Sequence, residues 1–95
     1  MDVRIDVRAT NWGVLKGKIL LVEWKDPRRG GETWGLLEEQ EHKLSTCLSV
    51  GFLLYTDEEK LSLYQSKGVD EKEVTDSITI PLANITRHCV LGGAF

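Results

Sequence analysis

The stretch Leu44–Ser66, LSTCLSVGFLLYTDEEKLSLYQS, decides the fold. Two runs rich in β-favouring residues meet at Thr56-Asp57-Glu58-Glu59, a polar tetrapeptide suited to a turn. In the first run the even positions are Leu44, Thr46, Leu48, Val50, Phe52 and Leu54. The odd positions, Ser45, Cys47, Ser49 and Gly51, are small or polar until Leu53. Strand side chains alternate between faces, so this run has one apolar face and one of small residues. The small face predicts close packing or a sharp bend, with Gly51 as the bend or bulge. Lys60–Ser66 returns as the second strand of a hairpin, with Leu61 and Leu63 inward.

Period two continues outward from this hairpin. Upstream, Val3, Ile5, Val7 and Ala9 alternate with Asp2, Arg4, Asp6 and Arg8, the pattern of a half-buried strand. Val14–Trp24 reads as another strand, alternating at first and solidly apolar at Ile19–Val22. Leu36–Lys43 contains good helix formers and predicts one helical turn, too short to stand without tertiary support. Downstream, Lys67–Thr75 is a polar, solvated loop, and Ser77–Leu82 is a strand with Ile78, Ile80 and Leu82 inward. Pro81 lacks an amide donor and belongs at a strand end or a sheet edge. Ala83–Ile85 fits a tight 3₁₀ turn, Thr86–Leu91 a last short strand, and residues 92–95 a frayed tail. Five or six short strands with one helical turn make an all-β domain, best read as a small curled barrel, SH3-like or Sm-like. A two-sheet sandwich is the alternative. The whole chain, residues 1–95, forms one domain, with residues 1–12 as an N-terminal strand or arm.

Composition narrows the function. The charged fraction of 28% is ordinary for a soluble protein. A net charge of −3 with a pI near 5.3 is unlike that of a protein that coats DNA, so nucleic acid is not the expected partner. The charge is divided. Residues 1–31 carry seven Lys/Arg against four Asp/Glu, and residues 32–95 carry five against eleven. A dipolar surface of this kind steers a charged partner or favours self-pairing, so a homo-oligomer is one expectation. No run reaches the roughly 20 apolar residues of a membrane helix, and the first ten residues lack the apolar core of a signal peptide. The expected location is the cytoplasm. Cys47 and Cys89 lie in apolar runs and are expected as small buried hydrophobes, not a disulfide.

Catalytic chemistry finds little support in the residues. His42 and His88 are far apart, as are the two cysteines, and neither a zinc spacing nor a nucleophile elbow occurs. No phosphate loop is present, and the carboxylate runs Glu38, Glu39, Glu41 and Asp57–Glu59 read as exposed turns. The expectation is a protein without enzyme activity, bound metal or cofactor.

A candidate binding site remains in Trp24–Gly35, WKDPRRGGETWG. Asp26-Pro27 starts a turn, because the residue before proline is pushed extended. Gly30 and Gly31 tolerate positive φ, so successive N–H groups can line an anion-binding nest. Arg28 and Arg29 match phosphate or carboxylate, Lys25 adds charge, and Trp24 and Trp34 offer stacking faces. Three readings stay open: a protein-contact surface, a site for an anionic aromatic ligand such as a nucleotide, or an ordinary connection with core tryptophans and solvated arginines.

The order VEWKDP (22–27), TWGLLEE (33–39), SVGFLLYTDEEKLSLYQS (49–66) and ITIPLANI (78–85) resembles small uncharacterised accessory proteins of tailed phages and prophages. The shared pattern is a W-x-D, a tryptophan followed by acidic residues, V-G-[FWH]-[LV] before an acidic turn, and I-P-x-x-x-I. It covers about residues 22–91 and leaves residues 1–21 outside. The resemblance implies a phage product acting in a bacterial cytoplasm by stoichiometric binding. Its partner would be a host protein, most directly a defence enzyme to be inhibited. The alternatives are a homo-oligomeric sponge for a cyclic or ADP-ribose-type nucleotide and an Sm-like nucleic-acid-binding module. The family supplies no catalytic residue to carry over.

Overall fold

A computed structural model describes residues 10–27, 36–39, 44–70 and 72–93. Five strands make one antiparallel sheet: β1 (Ile19–Pro27), β2 (Leu44–Thr56), β3 (Lys60–Lys67), β4 (Val74–Pro81) and β5 (Ile85–Gly92). Their order across the sheet is β4-β3-β2-β1-β5. Short 3₁₀ turns occupy Trp12–Leu15, Leu37–Glu39 and Leu82–Asn84. The strand expected over Val3–Ala9 lies outside the described residues, as do residues 40–43 of the expected helical turn.

The hairpin of β2 and β3 forms as its alternation dictates, with Leu53 opposite Leu63 and Leu61 opposite Thr56. Asp57 closes it. One carboxylate oxygen accepts from the amides of Glu59 (2.8 Å) and Lys60 (2.9 Å). The other accepts from the Tyr55 hydroxyl (2.8 Å) and pairs with Lys60 Nζ (2.9 Å). The amide of Leu82 then donates to the carbonyl of Glu59 (2.8 Å), tying the end of β4 to this turn.

The inner face carries the core: Leu20 and Val22 of β1, Leu53 of β2, Leu61 and Leu63 of β3, Ile80 of β4 and Ile85 of β5. Trp12, Leu15 and Leu82 pack against it from the 3₁₀ turns. Val14 and Leu15 therefore belong to a turn and not to the strand expected from Val14 onward. Gly17 reverses the chain there at φ 88°, and its amide donates to the carbonyl of Leu53 (2.7 Å), which fastens the turn to β2.

One expectation about β2 changes, and its two faces, which alternation alone leaves unranked, are assigned. The ladder irregularity falls between Leu53 and Tyr55, not at Gly51. Gly51 is required for space: a Cβ there would lie 2.9 Å from the Tyr64 carbonyl oxygen and 3.0 Å from Leu63 Cβ. The even row of β2 also faces outward. Leu44, Leu48 and Val50 are 64%, 64% and 57% exposed, while Ser45, Cys47 and Ser49 are half-buried. Cysteine burial is correspondingly lower than expected, with Cys47 half-buried and Cys89 exposed; both are free thiols.

The edges of the sheet are β4 and β5, yet only Leu82–Asn84 joins them. In a flat sheet the outer strands of five would lie about 19 Å apart. A three-residue 3₁₀ turn rises only about 2 Å per residue, so the sheet curls to bring these strand ends together. No ladder joins β4 to β5 among the described residues. Pro81 stands at the end of edge strand β4, where its missing donor costs no ladder bond.

Candidate functional site

The site begins on the last turn of β1 before residues 28–35. Trp24 and Lys25 are consecutive in a strand, so they point to opposite faces. Trp24 faces inward and is half-buried against the core. It stands opposite Cys47 in β2 and Ile85 in β5, and its indole Nε1 donates to Ser49 Oγ (3.0 Å). The small odd face of β2 is thus the floor under a large indole. Lys25 faces outward opposite Thr46, and its ammonium donates to the Thr46 hydroxyl. The Lys25 carbonyl accepts from Asn84 Nδ2 (3.1 Å), which links the end of β1 to the β4–β5 connection.

Arg28, Arg29, Gly30, Gly31 and Trp34 lie outside the described residues. What frames them is clear. The β1–β2 ladder continues without a break to Pro27 opposite Leu44. The turn expected to begin at Asp26-Pro27 is therefore corrected: both residues complete the strand, and residues 28–43 connect the two ends of a paired stem.

The outer face beside Lys25 holds groups that reading β2 by its apolar row did not bring together. Glu23 stands opposite Leu48 on one side and Arg87 on the other. Its carboxylate accepts from Thr86 Oγ1 (2.8 Å), Arg87 Nε (3.0 Å) and Arg87 Nη2 (2.9 Å). The Thr86 hydroxyl first, and then the Arg87 guanidinium, hold its pKa below the ordinary glutamate value. Charged groups thus border the exposed Leu44, Leu48 and Val50. The sequence signal was the regular spacing of these apolar residues, which is equally compatible with either face.

A depression lies between Asn11–Gly13, Thr56–Glu58 and Leu82. Asp57 lines it but is committed to the hairpin turn. Trp12 Nε1 is buried there, with no hydrogen-bond partner among the described residues. The Trp12 ring lies 4.4 Å from that of His88, whose pKa burial lowers. Among the described residues, no three His, Cys, Asp or Glu side chains cluster as a metal site would need. No helix among the described residues is long and apolar enough to cross a membrane.

The chain matches no protein-family model, no curated protein and no solved structure.

Proposed function

We propose that this chain is a non-catalytic phage accessory protein that acts in the bacterial cytoplasm by stoichiometric binding, inhibiting a host antiviral defence protein. One observation carries the reading: the unbroken ladder from Ile19 opposite Phe52 to Pro27 opposite Leu44. It makes a paired stem that anchors both ends of the connection containing Arg28, Arg29, Gly30, Gly31 and Trp34. A connection anchored at both ends loses less conformational freedom on binding than a free tail. Arginine and tryptophan are the residue types that most often anchor protein interfaces. Trp24 and Lys25 form the base of the stem, one on each face.

In this reading the scaffold is an SH3-like or Sm-like barrel. Its closure rests on the short Leu82–Asn84 link and not on a ladder between β4 and β5. The inhibitor and sponge readings separate in one pair of experiments. Affinity capture from host lysate recovers a defence protein with the wild-type chain, and Arg28→Glu combined with Arg29→Glu abolishes recovery without changing the circular dichroism spectrum. Unchanged recovery refutes a role for the connection. Absence of any captured protein, together with a raised melting midpoint on adding cyclic dinucleotides or ADP-ribose derivatives, would replace the inhibitor by the nucleotide sponge.

A further inference from the structure

The first half of β2 is built unlike the second. Its ladder with β3 covers only Phe52–Thr56, so Leu44–Gly51 pairs with β1 alone among the described residues. That is the segment whose outward side chains are apolar. Leu44, Leu48 and Val50 each stand more than half exposed along one row. An exposed row of large aliphatic side chains on a strand paired along one edge only is an aggregation hazard unless something covers it.

We propose that a second copy of this chain covers it, through an isologous contact between the outer faces of the two β1–β2 ribbons. The face is self-complementary. Glu23 and Lys25 stand two residues apart on the outer side of β1, opposite Leu48 and Thr46. A two-fold axis lying between the sheets, across the strands and midway between Glu23 and Lys25, sets each Glu23 against the Lys25 of the second copy. The same axis sets Val50 against Leu44 and each Leu48 against Thr46 of the second copy, with the two Leu48 side chains diagonal neighbours. An unrelated partner would need this charge order and apolar spacing built independently, whereas a second copy has both by symmetry.

The area suits a weak dimer, populated as concentration rises. With β5 beside the ribbon, the overlapping face is about 25 Å by 14 Å from strand rise and spacing. That footprint, about 350 Å² per copy, belongs to the class of weak, concentration-dependent contacts. Its make-up, apolar side chains with charged neighbours, is that of such an interface. This pairing does not depend on the host-protein reading, because it uses the face of the stem and not residues 28–35.

Light scattering across a concentration series tests it. A mass rising toward twice that of the monomer is expected for the wild-type chain. Leu48→Asp and Val50→Asp should each give the monomer mass with an unchanged circular dichroism spectrum. Val69→Asp, on the fully exposed β3–β4 turn, should stay dimeric. Lys25→Glu sets glutamate against glutamate and should weaken association at least about tenfold. The double charge reversal, Glu23→Lys with Lys25→Glu, is made together with Arg87→Glu so that residue 23 keeps an oppositely charged neighbour. It restores opposite charges across the axis and should recover the dimer, even if the aspartate variants fail to fold. A monomeric wild type overturns the proposal, and a monomer destabilised by Leu48→Asp would mean that the chain's own residues cover the row. A dimer that persists in folded Leu48→Asp and Val50→Asp overturns it equally, as does failure of the double charge reversal to restore association.

Discussion

At the scale of single residues, Gly51 shows how a small side chain is demanded by space. Its backbone is not in the left-handed region, so glycine is not needed there for its φ. Any Cβ would instead meet the Tyr64 carbonyl oxygen at 2.9 Å and the Tyr64 amide nitrogen at 3.2 Å. Both are backbone atoms, which cannot swing aside as a side-chain tip can. Gly51→Ala should therefore destabilise the fold by about 1–3 kcal/mol, the range for overpacking a filled interior. Urea denaturation followed by tryptophan fluorescence reads this directly, and an unchanged or raised midpoint would contradict it. Trp24 was legible as an aromatic in a strand, but its partner was not. Ser49 is 25 positions away, and only the β1–β2 register brings its hydroxyl to the indole.

At the scale of the element, the β2–β3 hairpin was the most legible part of the molecule, and Asp57 explains why. An aspartate that accepts from amides two and three residues on stabilises its turn with no help from distant chain. The same carboxylate also holds Tyr55 and Lys60. The hydrogen bond from Lys60, then those from Glu59 and Tyr55, keep its pKa well below the usual carboxylate range. A carboxylate with a depressed folded-state pKa adds stability above its unfolded value, near 4. That contribution is lost as pH falls through the folded value. Asp57→Asn should therefore lower the urea midpoint at pH 7 and lower it much less at pH 2. An equal effect at both pH values would exclude the charge as the cause. Less legible was the extent of β1. The proline after Asp26 reads as a turn, yet Pro27 closes the ladder opposite Leu44, a terminal position that needs no donor.

At the scale of the whole molecule, the sheet is tied by its most distant pairing. β1 meets β5 from Ile19 opposite Gly92 to Trp24 opposite Ile85. Neither hairpin turns nor local propensity can form that ladder; it waits for most of the chain to be in place. Refolding should accordingly take milliseconds to seconds, as for other small β domains dominated by non-local pairings. Stopped-flow fluorescence measures it, and complete refolding in microseconds would show that the β1–β5 ladder is not part of the folded state. The strand–3₁₀–strand ending was legible in IPLANI, because proline at the end of a strand followed by a tight turn is a local instruction. That this turn would join the two edges of one sheet was not.

By itself the sequence determined the hairpin strands β2 and β3 and the strand β4, the acidic turn at Asp57, the strand end at Pro81 and the short turn after it. All of these arise from side chains acting on backbone a few residues away. The tertiary structure alone decided which side of β2 is buried. Alternation defines two faces but ranks neither: an apolar row fits a core and an interface equally well. Here the small row turns inward because the indole of Trp24 and the close approach of β3 at Gly51 already fill that side. Leu44, Leu48 and Val50 are left facing out.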